Sequence, residues 1–268
     1  HGAFTWGVLD RLLEDERIRI GAISGTSAGA MNAVALAAGW GADGRRGARE
    51  SLRRFWSRVA DGLHLARWAE GWMGANPAAM LAAPTAPVQL AWDVVGRWFA
   101  PNAAHTDGNP LRPVLADTVD FDAVRRCRDV QLFVGATQVA TGRLRIFRGA
   151  ELSADAVLAS ACLPMLFPPV VIDGEAYWDG GYMGNPPLLP LLAESPLSLL
   201  ASALRWHFLL GGLRLDARAA PQPLQSPWQH LLALHRQGHE AADEWLRERF
   251  THLGRHATVD LIDEYLDH

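Results

Sequence analysis

Apolar residues recur at helical spacing in two stretches near the start of the sequence, and a short apolar run lies between them. Residues 3–14 carry apolar side chains three and four positions apart, and Gly2 lies where this helix would begin. Residues 18–23 predict a buried strand, and the alanine-rich segment after the next turn predicts a helix to about Ala38. Residues 48–60 are again helical in pattern. A buried strand between two helices predicts the beginning of an α/β sandwich.

The middle of the chain predicts short helices followed by a β-hairpin. Pro110 suits the first position of a helix over Leu111 to Leu115, because its missing N–H costs nothing there. Asp120 is a suitable N-cap for a second short helix. Residues 130–139 then predict a strand that returns, after a glycine-containing turn, over residues 144–147.

A helix and a second hairpin complete the interpretable part of the sequence. Ser153 opens a helix that runs through Cys162 and is stopped by Pro164. Two short strands follow, over residues 170–172 and 176–178, joined by an Asp-Gly turn. This hairpin leads directly into Asp179-Gly180-Gly181.

Residues 63–105 have a different composition, with many large apolar residues among small residues and prolines and with few charges. One interpretation is a mobile lid or an interfacial surface around an acyl pocket, because tryptophan favours the boundary between water and lipid. The other is ordinary core beneath irregular helices. The residues concerned are Leu63, Leu65, Trp68, Trp72, Met73, Met80, Leu81, Trp92, Trp98 and Phe99.

Composition narrows the class of protein. The 268 residues are sufficient for one large α/β domain or for a domain with an extension. The formal net charge of −4 argues against a nucleic-acid partner, and we interpret Arg45, Arg46 and Arg49 as a solvated helix face. Cys127 and Cys162 match neither a disulfide framework nor a metal site, so we expect a reducing, cytoplasmic compartment. The sequence contains no uninterrupted run of about eighteen apolar residues, so it predicts no membrane span.

Gly25-Thr26-Ser27-Ala28-Gly29 joins the first predicted strand to the helix that follows it. A serine on such a sharp turn lies in a strained backbone geometry that small neighbours tolerate, which makes this segment a candidate nucleophile elbow. The N–H of Ala28 would point to the place where an oxyanion forms. The alternative is a small-residue turn that lets the helix pack tightly on the strand.

A serine alcohol needs a base within hydrogen-bonding distance, and two kinds of residue compete for that role. Asp179 ends a predicted strand and is followed by two glycines, so the backbone can turn sharply and carry the carboxylate over a neighbouring strand end. The alternative for Asp179 is a common Asp-Gly turn. Histidine is the usual base for a serine, and several histidines follow the elbow: His207, His230, His235, His239, His252, His256 and His268. Most of them belong to a polar, helical tail, where we expect them to face solvent.

Ser27 in GTSAG and Asp179 in DGG together resemble the serine–aspartate dyad of the patatin-like phospholipase family, in which no histidine is catalytic. HGAFTWGVLDRLLED resembles the end of that family's glycine-rich oxyanion loop, with His1 at the usual basic position and Gly2 as the last glycine. ACLPMLFPPVVIDGEAYWDGGYMGNPP resembles the family's segment around the aspartate. The resemblance covers residues 1–190 and implies a three-layer α/β/α sandwich with a mainly parallel central sheet.

The two ends of the chain depart from the family pattern. The sequence begins at His1 without an initiating methionine, so we expect that it starts late and that the other oxyanion-loop glycines precede it. Residues 191–268 would form a mostly helical C-terminal extension that covers the core. Its segment from Trp228 to Tyr265 resembles an extension found in some bacterial relatives, whereas residues 191–221 fit neither a strand nor a helix well.

These observations predict a hydrolase that cleaves a carboxylic ester, in a lipid, through an acyl-enzyme. Ser27 would be the nucleophile and Asp179 the base, and the oxyanion would be held by Ala28 and the glycine loop. No metal or organic cofactor is implied, and peripheral contact with a membrane surface is expected. Two alternatives stay open: a Ser-His-Asp esterase, and a lipid-binding or regulatory module whose elbow is only structural.

Overall fold

A computed structural model describes residues 2–72, 109–164, 167–182 and 226–252, and the side chains of all of these except residues 63–72 and 252. Most of the tryptophan-rich segment therefore lies outside the described residues. The same holds for His1, for the predicted boundary at residue 190 and for the final predicted helix.

Five described strands form one sheet around a central strand, β2. Strand β1 runs parallel to β2, whereas β3 and β5 are antiparallel to β2 and β4 is antiparallel to β5. The bounds are β1 Ala22–Gly25, β2 Gln131–Gln138, β3 Leu144–Arg148, β4 Val170–Ile172 and β5 Glu175–Asp179. An α/β fold is confirmed, but the expected mainly parallel sheet is wrong for the described strands. Two of the three antiparallel pairs are hairpins, and a tight turn can only join antiparallel strands.

Six α-helical elements accompany the sheet in the described ranges. The element after the elbow consists of two helices, because the backbone angles at Asp43 and Gly44 between them are not helical, and this agrees with the two helices predicted to about Ala38 and over residues 48–60. The bounds are α1 Gly2–Glu14, α2 Ala28–Trp72, α3 Leu111–Thr118, α4 Phe121–Arg126, α5 Ala154–Ser160 and α6 Pro227–Arg249.

The first strand is shifted relative to its hydrophobic pattern. The pattern predicts residues 18–23, but only residues 22–25 pair with β2, from Ala22 opposite Gln131 to Gly25 opposite Val134. A strand extends over the residues that pair with a neighbouring strand, so apolar character alone does not define where it begins and ends. The extra residues carry β1 up to the elbow, so the candidate nucleophile follows the strand after one intervening residue.

The core lies where α2 and α5 pack against the sheet. Its largest fully buried side chains come from both the helices and β2, which is buried along most of its length. They include Leu36, Leu52, Phe55, Phe133, Val134 and Leu158. A β2 strand buried in this way can hold its neighbours in a fixed register.

Helix α6 packs closely on α1. A methyl group at Gly7 would overlap the carbonyl oxygen of His235, and one at Gly238 would overlap the carbonyl oxygen of Phe4, so the two backbones touch. Phe4, Val8, Ala242, Trp245 and Leu246 form an apolar cluster between these helices. None of the helices in the described ranges is long and apolar enough to span a bilayer.

Two expectations of solvent exposure are wrong at this interface. His235 Nε2 lies 3.1 Å from the Asp10 carboxylate and His239 Nε2 lies 2.9 Å from that of Glu14, so both histidines face α1. Arg49 donates to the same two carboxylates at 2.6 and 2.7 Å. Charged and polar side chains of α1 and α6 thus pair beside the apolar cluster, and the pairing replaces only part of their solvation, since the Glu14 and His239 side chains stay 35% and 31% exposed.

Arg45 is also not a solvated side chain. Its guanidinium donates to the backbone carbonyls of Leu12, Leu13, Asp15 and Ile18, where α1 ends. The last carbonyls of a helix lack intrahelical donors, and a cation there satisfies them and complements the helix dipole. Only Arg46 of the predicted arginine face is exposed.

Candidate active site

Ser27 lies at a sharp turn between β1 and α2, in the left-handed backbone region with φ of 52°. This conformation is unusual for a residue with a side chain, and it is typical of a nucleophile elbow. A Cβ at Gly25 would lie 2.6 Å from the carbonyl carbon of Gly29, so the turn requires glycine at position 25. At Gly29 no described atom lies within 4 Å of an added Cβ, so packing against the described residues does not require glycine there.

The sheet brings the elbow and the aspartate loop together. Both β1 and β5 lie on the edge of β2 opposite β3, because β3 pairs with the same β2 residues that contact each of them. They approach from opposite directions, and β1 ends opposite Val134 whereas β5 ends opposite Ala136. Their carboxyl ends therefore meet across one residue of β2, Gly135.

Asp179 occupies the end of β5 and is only 4% exposed. Its carboxylate accepts a hydrogen bond from the N–H of Gly181 at 2.8 Å, and the Ser27 side chain lies close enough to lower its pKa. Burial raises the pKa of Asp179 above the ordinary aspartate value, and these two neighbours oppose that shift only in part. The carboxylate is thus close enough to the Ser27 side chain to be affected by it, and it is more basic than an exposed aspartate.

Gly180 allows this close approach. A Cβ at this position would overlap the carbonyl oxygen of Gly135 and lie 2.7 Å from the Thr26 side chain. The backbone of the Asp179-Gly180-Gly181 loop can therefore lie directly on β2 and beside the elbow. The N–H of Gly181 then turns back to the carboxylate.

A segment that sequence reasoning missed holds both residues by their backbones. The N–H of Ser27 donates to the carbonyl oxygen of Ser160 at 3.1 Å and lies 3.0 Å from its hydroxyl oxygen. The N–H of Asp179 donates to the carbonyl oxygen of Cys162 at 2.7 Å. Ser160 is the last residue of α5 and Cys162 lies two residues beyond it. Cys162 belongs to the segment that resembles the family's aspartate region, which is the signal that points to it, whereas Ser160 precedes that segment.

The thiol of Cys162 plays a packing role here. It is buried and its Sγ contacts the carbonyl oxygen of Pro168 at 3.2 Å. Burial raises the pKa of Cys162 to about 11, so the thiol is protonated at neutral pH. Cys162 and Cys127 are both free.

Two helix N-termini converge beside Ser27. Ala28 is the first residue of α2 and Gly2 is the first described residue of α1, and a Cβ on Gly2 would lie 2.8 Å from the Cβ of Ala28. The first N–H groups of a helix have no intrahelical acceptor and carry partial positive charge. Such an arrangement can stabilise negative charge that develops on a substrate bound to Ser27.

Two of the described histidines have partners other than Ser27. His235 and His239 contact the carboxylates of α1, whereas the side chain of His252 lies outside the described ones. His230 is half-buried, and burial lowers the pKa of its imidazole. His207, His256 and His268 lie outside the described residues.

One group of side chains has the composition of a metal site. Ligand atoms of Asp10, Glu14 and His239 lie within 4.8 Å of one another. The guanidinium of Arg49 already donates to both carboxylates, and a bound cation would have to displace it. The charges of this cluster are therefore balanced by the protein itself.

Comparison with known proteins agrees with the geometry. The family model described as patatin-like phospholipase matches residues 1–192. None of the curated proteins matches the sequence significantly. The matched range includes both the elbow and the aspartate loop.

Proposed function

The chain belongs to the patatin-like phospholipase family, and from this membership we propose that it cleaves carboxylic esters in lipids with a Ser27–Asp179 dyad. Family membership indicates a lipid acyl hydrolase. The dyad, the ester bond and the acyl-enzyme are the finer parts of the proposal. The observation that carries them is the meeting of the ends of β1 and β5 beside Gly135, which brings the Ser27 side chain next to a carboxylate that is 4% exposed.

In the first step, Asp179 takes the hydroxyl proton while Ser27 Oγ attacks the ester carbonyl carbon. The carbonyl oxygen becomes an oxyanion, and the N–H of Ala28 and that of Gly2 stabilise it. When the intermediate collapses, the bond to the alcohol breaks and the proton passes from Asp179 to the departing oxygen. The acyl group is then attached to Ser27 as an ester.

In the second step, water replaces the alcohol. Asp179 removes a proton from the water as its oxygen attacks the acyl carbon, and the bond to Ser27 Oγ breaks. The proton on Asp179 returns to the serine oxygen, and a free carboxylic acid leaves. One carboxylate thus acts as base and acid in both halves of the reaction.

The test compares p-nitrophenyl ester hydrolysis by the parent protein, Ser27→Ala and Asp179→Asn. We expect either replacement to reduce kcat/KM by about 100-fold or more, since general-base catalysis contributes on the order of 10²- to 10⁴-fold. Circular dichroism of each variant checks that it is folded. Unchanged turnover in either folded variant would reject the dyad.

Histidine variants separate the dyad from a Ser-His-Asp triad. His207→Ala, and the double variant His235→Gln and His239→Gln, should retain parental kcat/KM within about threefold, because the proposed base is a carboxylate. Glutamine can keep a hydrogen bond to the α1 carboxylates. A loss comparable to that of Asp179→Asn would favour the triad instead.

A further inference from the structure

Asn32 lies in the apolar second turn of α2, where it is only 1% exposed and where its side-chain amide is hydrogen-bonded at both polar atoms. One N–H of this amide donates to the carbonyl oxygen of Gly2 at 3.0 Å, and the other donates to that of Ala28 at 3.0 Å. The amide oxygen accepts a hydrogen bond from Trp56 Nε1 at 2.9 Å. Each polar atom of the side chain therefore has a partner.

The two carbonyls that Asn32 holds belong to the residues that begin α1 and α2. These residues are far apart in the sequence, but a Cβ on Gly2 would lie 2.8 Å from the Cβ of Ala28, the residue that follows Ser27. Trp56 donates from the second half of α2 and thereby fixes which end of the amide faces the two carbonyls. A reversed amide would set its oxygen against two carbonyl oxygens, so this orientation is determined by the network.

Packing alone does not explain an asparagine at this position. A leucine has a similar volume and would avoid the free-energy cost of burying an amide. That cost is offset only when the amide makes its hydrogen bonds. What the amide supplies, and a leucine does not, is a fixed spacing between two helix N-termini. The indole ring of Trp56 adds contact, since a Cβ on Gly2 would lie 2.5 Å from its edge.

We propose that Asn32, oriented by Trp56, is a positioning residue that holds the N-terminus of α1 against that of α2 and thereby sets the spacing of the oxyanion donors. This inference rests on the proposed hydrolase function. Asn32 acts through Gly2 and Ala28 and does not touch the reacting atoms. Its loss affects the stabilisation of the transition state more than the binding of the ground state.

The experiment measures the burst of p-nitrophenol from a p-nitrophenyl ester, which gives the acylation rate constant and the apparent Kd separately. We expect Asn32→Leu to reduce the acylation rate constant by about tenfold or more, with Kd changed by less than about threefold, because misplaced oxyanion donors cost rate. Trp56→Phe removes the indole N–H, keeps an aromatic ring and leaves Asn32 in place, and should give a smaller loss of about three- to tenfold.

Two control variants match these changes elsewhere in the fold. Thr118→Val removes a buried hydrogen bond to the carbonyl oxygen of Val114, and Trp6→Phe removes a buried indole N–H that has no partner among the described residues. Both should acylate within about twofold of the parent even where the melting temperature falls, because neither change removes a side-chain hydrogen bond to the carbonyl of Gly2 or Ala28. A general loss of stability is thereby separated from a loss of positioning.

The outcomes are distinct. If folded Asn32→Leu acylates as fast as Thr118→Val, or loses affinity without losing rate, the inference is overturned. Should Asn32→Leu fail to fold, the acylation rate constant of Trp56→Phe is compared with that of Trp6→Phe. Equal rate constants in these two variants would overturn the inference. A parent protein that releases no p-nitrophenol, under conditions where all variants are folded, rejects the hydrolase proposal and this inference with it.

Discussion

At the scale of single residues, the candidate site is built from groups that are unfavourable for folding. Ser27 occupies a left-handed conformation, which costs on the order of 1–3 kcal/mol for a residue with a side chain. Asp179 is buried, and its pKa is raised because burial disfavours the charged form. The hydrogen bond from the N–H of Gly181, and those that the N–H groups of Ser27 and Asp179 donate to the Ser160–Cys162 segment, hold both residues in place against these costs.

The raised pKa of Asp179 predicts a stability change with a definite sign. A carboxyl whose pKa is higher in the folded than in the unfolded protein stabilises the fold below the unfolded value, about 3.9, and this contribution is lost as the pH rises through the folded pKa. Asp179→Asn does not titrate, so its urea midpoint at pH 7 should equal or exceed that of the parent. The advantage should shrink toward pH 4, and a variant that loses more stability at pH 7 than at pH 4 would contradict this sign.

Asn32 illustrates what the sequence does not reveal at this scale. An asparagine within an alanine-rich helix is usually expected on the solvated side, and its burial depends on Trp56 and Gly2, which come from distant parts of the sequence. Ser27 was identifiable because glycines surround it within five residues. A local motif predicts a local geometry, whereas a buried network depends on tertiary contacts.

At the scale of elements, hydrophobic periodicity predicted most of the described helices and hairpins. Residues 3–14 form α1, and the hairpin over 170–178 is present with its turn at Asp173 and Gly174, which both have positive φ. The pattern did not predict that β5 also pairs with β2. Its position beside β1 on the edge of β2 brings Asp179 to Ser27, and such a non-local pairing leaves no periodic signal.

The contact between α1 and α6 makes a second prediction. Gly238→Ala introduces a methyl group that would overlap backbone atoms of Phe4, which cannot be relieved by a side-chain rotation. We expect it to lower the free energy of unfolding by about 1–3 kcal/mol, as overpacking does. Urea titration followed by tryptophan fluorescence measures the change.

The matched control for that variant is Gly62→Ala in α2. No described atom lies within 4 Å of a Cβ at Gly62, so alanine should be neutral or should stabilise the helix by up to about 1 kcal/mol. Equal effects of the two replacements would show that α6 does not pack on α1 as described.

At the scale of the whole molecule, α6 is bound to the same core as the hydrolase elements. Leu231 and Leu234 belong to the main apolar cluster together with Trp6 of α1 and Leu52 of α2. Arg11 of α1 also pairs with Asp243 of α6 at 2.8 Å. A division of the chain at residue 190 stays a prediction, but the described part of the extension is packed as an element of the fold.

Removal of residues 227–268 tests this integration. The truncated chain would expose the apolar side of α1, so we expect a lower melting temperature, aggregation, and loss of ester hydrolysis as Gly2 at the start of α1 loses its support. Differential scanning fluorimetry and light scattering report these changes. A truncated chain with the parental melting temperature and activity would show that α6 is an independent appendage.

The central claim is that Asp179 activates Ser27 without an intervening imidazole, and the rate of fluorophosphonate labelling tests it most directly. The account predicts one adduct per chain, located on Ser27 by peptide mass spectrometry. It also predicts labelling at least about 100-fold slower in folded Asp179→Asn, and a parental rate in the double variant His235→Gln and His239→Gln. Parental labelling of Ser27 in Asp179→Asn, or an adduct on another residue, would contradict the account.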